Sequence, residues 1–361
     1  MLHAKIKNFS YIKSCTKSWG EDLERYDFDN INNLPSKCIV NFENKSFAIS
    51  KWVSPKRTRS YPYARVYDTF SSGTNKVVMI IPLIKDEGIN GDRDYLQWDS
   101  LSLMSLLNVY VIIAFYDKAD LRPTKQGKIT NQQFNNEYIC KQLSKLTNYH
   151  QSALHWNINQ LENLPALAQK AKNAYVDIAT SLGVKLHNIE NIDKFIAKII
   201  KSKESFMDFS RTKARAAQHR EMLTLQPKEQ IGIGQKCKIT IENYLGGQYF
   251  FTCDDVLLQD NVLVLCESKH SKNALLPSSD DIKDGLLKLM LYNNIDSIVG
   301  YEKFKVVLRL TSGLLQDSHI LPSDNLQDFI KCNTFSQTHI ATLQALNIES
   351  SNNHFEVWIN L

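Results

Sequence analysis

Thr252-Cys253-Asp254-Asp255-Val256-Leu257-Leu258-Gln259-Asp260-Asn261-Val262-Leu263-Val264-Leu265-Cys266-Glu267-Ser268-Lys269 decides how this chain is read, because two strand-like runs flank a short polar pair. Val and Leu suit a pleated, half-buried surface, and Asp-Asn is the kind of pair that reverses one strand into the next. With Asp260 and Asn261 as the turn, Asp254 lies opposite Glu267. A four-residue loop keeps that pairing and a three-residue loop breaks it. Residues two apart share a strand face, so Glu267 and Lys269 point the same way, and directly opposed Cβ atoms sit about 5 Å apart. Two carboxylates and an ammonium therefore converge.

That convergence has a chemical use. Mg²⁺ prefers oxygen ligands and few protein contacts, and once bound it polarises a phosphodiester and lowers the pKa of an attacking water. Lys269 would position the nucleophile or offset developing negative charge. The plainer alternative is a half-exposed hairpin with a solvated cross-strand ion pair. Against it, Val262 to Cys266 is apolar on both faces. A strand covered on both sides has no reason to carry Glu-Ser-Lys without a use for them.

Asp254 followed by Glu267-Ser268-Lys269 resembles the PD-(D/E)xK motif of type II restriction endonucleases and their relatives. The resemblance covers about twenty residues directly. Sites of that family place the first acid on one strand of a hairpin and the (D/E)xK on the next. Cys253 stands where the motif has Pro, the least demanding part of the motif, and Asp255 is an alternative to Asp254 as first metal ligand. The resemblance implies a site-specific deoxyribonuclease with Asp254, Glu267 and Lys269 as catalytic residues and Mg²⁺ as cofactor. It also implies a homodimer acting on double-stranded DNA, within a restriction-modification system. Related nucleases bring a further carboxylate from a helix before the hairpin, for which Glu221 is the candidate; the competing reading pairs Glu221 with Arg215 or Arg220 on a solvated surface.

Composition agrees without deciding. A chain of 361 residues that is 43% hydrophobic buries a substantial core, in two domains or one large one. The formal charge of +5 is mildly basic and only weakly indicates a polyanionic partner. Seven cysteines include no CxxC pair, which argues against a zinc site or a disulfide framework and for a reducing cytoplasm. No run approaches the roughly 18 apolar residues of a membrane span, and Met1 to Lys5 has no apolar signal core. Gly232-Ile233-Gly234-Gln235-Lys236 is too short for a P-loop, so no nucleotide cofactor is expected. The expectation is a soluble, cytoplasmic protein.

The fold class expected is α/β, a mixed β-sheet flanked by helices, with a restriction-endonuclease-like core in the C-terminal half. Lys76 to Ile84 and Asn108 to Tyr116 read as strands around a helix at Trp98 to Leu107. Leu161 to Ser181, Ile192 to Phe206 and Arg211 to Leu223 read as helices, and Lys238 to Ile241 and Phe304 to Leu310 as strands. After the hairpin, Ser278-Ser279-Asp280-Asp281 starts a helix striped by Ile282, Leu286 and Leu289. Gly285 within it signals a close approach, and Asp284 to Lys288 reads as an ordinary i, i+4 pair. The expected blocks are 1–160 for DNA recognition, 161–225 as a helical connection with a basic face, and 226–361 as the nuclease core.

Two basic segments are the DNA-contact candidates. Lys51 to Tyr67 holds five cations, four aromatics and no acid, with Lys56, Arg57, Arg59, Tyr61, Tyr63 and Arg65 as contacts. Its two prolines suggest a loop or interrupted strand. Arg211, Lys213 and Arg215 belong to the second, where six cations between Lys201 and Arg220 face two acids. Lys85 to Asp94 is a rival metal loop that fails calcium-loop spacing. The competing readings are a DNA-repair or structure-specific nuclease, and a non-catalytic DNA-binding protein of the same fold.

Overall fold

A computed structural model describes residues 1–7, 23–55, 61–70, 72–74, 76–188, 190–201, 234–243 and 248–361. It is mixed α/β, as expected, and divides into two compact units, each discontinuous in sequence. One comprises Met1–Asp22, Arg59–Ser71 and Ala214–Leu361; the other comprises Leu23–Thr58 and Ser72–Lys213. The contiguous blocks 1–160, 161–225 and 226–361 are thus not the compact units. The reason is strand pairing between distant segments: Leu2–Ile6 lies parallel to Gln235–Asn243.

The first unit is built on an eight-stranded mixed sheet. Its strands are β1 (Leu2–Ile6), β2 (Gln235–Asn243), β3 (Gln248–Gln259), β4 (Val262–Ser271), β5 (Ser297–Ile298), β6 (Phe304–Ser312), β7 (His319–Leu321) and β8 (Glu356–Ile359). They lie in the order β5-β1-β2-β3-β4-β6-β8-β7. Its helices are α1 (Tyr61–Thr69), α2 (Ser279–Tyr292), α3 (Leu326–Cys332) and α4 (Gln337–Asn353). β2, β3 and β4 are antiparallel neighbours, whereas β6 runs parallel to β4. Parallel partners need a crossover, and α2 lies in it.

The β3–β4 turn has the expected two residues. Asp260 and Asn261 have φ of 51° and 62°, the left-handed pair that a tight hairpin requires and that Asp and Asn tolerate. Pairing runs from Gln259–Val262 to Asp255–Cys266. On the other edge of β3, Gln235 pairs with Val256 but Cys237 pairs with Cys253, so one extra residue is accommodated at Asp254–Asp255. Such a bulge re-aims side chains.

α2 begins where the sequence suggests. The Ser278 side chain accepts a hydrogen bond from the Asp281 backbone N–H, and Asp280 and Asp281 occupy the first turn. Every residue from Ile282 to Tyr292 is buried, because α2 packs on β4 and β6 and against α1.

The second unit holds a five-stranded sheet of Arg25–Asp27, Lys37–Phe42, Lys45–Lys51, Lys76–Pro82 and Tyr110–Ala114. The last three are parallel, and helix Trp98–Leu106 joins the final two. Its core gathers Val40, Ile49, Ile80, Ile112, Leu143 and Trp156. Two sequence expectations need correction. The helix expected from Leu161 to Ser181 runs from Leu164 to Leu182, with Pro165 in its first turn where no N–H is needed, and a separate helix, Ala153–Glu162, precedes it. The helix expected from Ile192 starts at Glu190, while the Arg211 to Leu223 helix falls outside the described residues.

Candidate active site

β4 carries its charges into a fully covered sheet. Leu263 to Lys269 is buried throughout, and Glu267 has no exposed surface. Val264, Cys266, Val307 and Trp358 pack together on one face. Glu267 and Lys269 alternate to the other, beneath α2. A Cβ on Gly285 would lie 2.8 Å from Leu308 Cδ1, 3.3 Å from Lys269 Cε and 3.8 Å from Glu267 Cγ, so glycine there lets the helix lie directly on the two charged side chains.

Strand alternation in the regular β3–β4 register sends the two adjacent aspartates to different sides. Asp255 opposes Cys266, accepts a hydrogen bond from Ser268 Oγ at 3.0 Å and faces the Arg309 guanidinium at 4.0 Å. Asp254 accepts from the Ser268 backbone N–H at 3.0 Å, and its charge acts on Lys269 and Lys288. Of the two, Asp254 therefore shares the Glu267–Lys269 side. Cys253 fills the position of the motif's Pro and points its thiol at the Cys266 carbonyl at 3.3 Å. Burial pushes the Cys266 thiol up to about 12 and raises the Cys253 thiol well above its usual value, so neither is a nucleophile at neutral pH.

The site is a crossed set of ion pairs. Lys269 Nζ lies 2.6 Å from Asp284 Oδ2 and 3.0 Å from Glu267 Oε1, while Lys288 Nζ lies 2.6 Å from that same Glu267 oxygen. Burial alone would pull both ammoniums down, but Asp284 and Glu267 for Lys269, and Glu267 for Lys288, more than offset it and raise both above the usual lysine value. Asp284 and Lys288 are thus not a solvated i, i+4 pair: each is buried and reaches across to β4. The available signal was Lys288 standing inside the apolar run Leu286 to Leu291, one turn after Asp284. Arg309, a cation inside the run Val306 to Leu310, carried the same kind of signal, and Lys283, paired with Asp68 at 2.6 Å, another.

Asp254 and Glu267 supply the hard oxygen donors that Mg²⁺ favours. On this side, three buried carboxylates (Asp254, Glu267, Asp284) face two ammoniums, which leaves a net negative charge for a cation to balance. Donor chemistry and charge fit a divalent ion, although no group of three or more His, Cys, Asp or Glu stands ready for one among the described residues.

Several candidates fall elsewhere. Lys56, Arg57, Arg59, Arg211, Lys213, Arg215 and Glu221 lie outside the described residues. The loop expected across Lys51 to Tyr67 is a strand end at Lys51 and the helix α1 from Tyr61, with Pro62 tolerated in its first turn. Tyr63 is 4% exposed, so it packs in the core and is not a DNA contact in this state; Arg65 is half-buried, and Tyr61 begins the helix. The rival loop is a short hairpin, Ile84–Asp86 with Arg93–Tyr95. There Asp86 accepts from Gly88 N at 2.9 Å and contacts His187 Nδ1 at 2.8 Å.

Comparisons of the chain with family models, with curated proteins and with solved structures gave no match. No helix among the described residues is long and apolar enough to cross a membrane.

Proposed function

We propose that the eight-stranded unit is the restriction-endonuclease-like core of a Mg²⁺-dependent, sequence-specific endonuclease for double-stranded DNA, of the type II restriction class. One observation carries the reading: Asp254, Glu267 and Lys269 meet on one covered side of a hairpin in the middle of a large sheet, with Lys269 gripped by two carboxylates. Stability alone does not call for this, since a buried ion-pair set is often no more stabilising than apolar side chains of the same volume.

Asp254 and Glu267 would hold the metal, which when bound supplies charge to polarise the phosphodiester and acidify a water. Lys269, kept as an ammonium by Asp284, offsets negative charge on the phosphoryl oxygens and lines up the attacking water. The Ser268 N–H fixes the Asp254 carboxylate. Cutting both strands needs two such sites, so the working form is a homodimer. The basic segments around Arg57 and from Arg211 through Lys213 to Arg215 supply phosphate and base contacts.

The test is digestion of defined plasmid DNA with Mg²⁺, with fragment ends sequenced. Discrete fragments are expected; a smear would indicate a repair or structure-specific nuclease, and intact DNA with retained binding would indicate a binding protein. Glu267→Ala should lower cleavage on the order of a thousandfold, the loss of several kcal/mol of electrostatic stabilisation, while DNA binding in Ca²⁺ persists. Lys269→Ala should suppress cleavage with less effect on metal binding. Folded Glu267→Ala protein that cuts at the wild-type rate rejects the site.

A further inference from the structure

We infer that this site takes one divalent cation per chain, and that the Lys288 ammonium stands at Glu267 where a second cation would otherwise be required. The inference rests on the nuclease reading above and adds to it the residue that limits the metal count.

Charge balance is the first argument. Within the ion-pair set itself, the buried charges are the carboxylates of Asp254, Glu267 and Asp284 and the ammoniums of Lys269 and Lys288; the Lys283–Asp68 pair and Glu349, which accepts from the Tyr67 hydroxyl at 2.6 Å, lie outside that set. One divalent ion converts the single negative excess into a single positive one, and one phosphodiester then brings the site to neutrality. A second divalent ion would leave two uncompensated positive charges in a covered site, where each is costly.

Occupancy is the second argument. In two-metal sites the ions sit about 3.5–4 Å apart, which requires carboxylate oxygens within reach of both. Here Glu267 Oε1 already serves two ammoniums, Lys288 at 2.6 Å and Lys269 at 3.0 Å. Lys288 is no wandering surface side chain. It is 8% exposed and lies one turn beyond Asp284, on a helix brought down onto β4 by the absence of a side chain at Gly285.

The experiment is titration of the folded full chain with Mn²⁺ in the absence of DNA, counting free ion by electron paramagnetic resonance and heat by calorimetry, with circular dichroism confirming that each variant is folded. Wild type should bind one Mn²⁺ per chain. Lys288→Met keeps the length and removes the charge, so it should bind the first ion at least about tenfold more tightly and take up a second. Lys288→Arg should return to one. Two ions on the wild-type chain overturn the inference, and so does Lys288→Met with wild-type affinity and count. If Lys288→Met does not fold, Lys288→Gln, which also removes the charge, takes its place with the same expected and overturning results. No ion bound at millimolar Mn²⁺ overturns the proposed function together with this inference, whereas one ion on wild type with an unaltered Lys288→Met overturns the inference alone.

Discussion

Gly285 shows how one residue joins the packing of the site to its chemistry. In an ordinary exposed helix interior, Gly→Ala is favourable by about 1 kcal/mol. At this position the added Cβ would meet Leu308 Cδ1 at 2.8 Å and Lys269 Cε at 3.3 Å. Leu308 can yield at the end of its side chain, but Lys269 is held by Asp284 and Glu267. Gly285→Ala should therefore destabilise the protein by roughly 1–3 kcal/mol, the usual range for overpacking, read as a lower urea midpoint. An unchanged or higher midpoint would mean that α2 is not seated on the site as described. Glu267 and Lys269 were legible in the sequence because charge interrupts an apolar run. Asp284 and Lys288 were not, because i, i+4 pairs of opposite charge are common on solvated helix faces and only packing shows that this face is covered.

The hairpin is the element whose local sequence and tertiary role agree most closely. Its register depends on a two-residue turn in which Asp260 and Asn261 both have positive φ. Asn261→Gly should be tolerated, since glycine adopts that conformation freely. Asn261→Val should cost about 1–2 kcal/mol, the penalty for placing a branched L-residue in the left-handed region. Equilibrium unfolding of the two variants checks this, and equal stability would rule out the tight turn. The turn also sets which side chains meet, for a one-residue slip would send Glu267 and Lys269 to the Cys266 side of the sheet. What the hairpin sequence did not disclose is the bulge at Asp254–Asp255, since it is a mismatch with β2, a strand that sequence patterning does not align.

At the scale of the molecule, both units bury charge. The first buries an ion-pair set at the candidate site; the second buries Asp86 beside His187 Nδ1 at 2.8 Å and keeps Glu87 near its surface between Lys85 at 2.8 Å and Lys128. Partial burial would raise the Glu87 carboxyl, but hydrogen bonds from Lys128 and Lys85 outweigh it and hold the group down at about 2, below its ordinary 4.5. A carboxyl depressed in the folded state adds stability above its unfolded value and loses it as pH falls through the folded one. Thermal stability of the wild type should accordingly fall more steeply between about pH 4.5 and 2 than that of Glu87→Gln, followed by fluorescence of the buried Trp52 and Trp156 in the same unit. Parallel pH profiles for the two proteins would refute the assignment.

By itself the sequence determined what short-range physics controls. It determined the alternation and apolar runs that make strands, the Asp-Asn reversal, the Ser278 cap, and the charges that break the pattern of β4. Only the tertiary structure decided the rest. Leu2–Ile6 joins a sheet with residues from the far end of the chain, Tyr63 and Trp52 turn inward although they sit among cations, and Asp284 and Lys288 reach β4 to complete the ion-pair set. The physical reason is the same in each case. Pairing across long sequence separations and burial of a helix face depend on which surfaces meet, and no local periodicity records that.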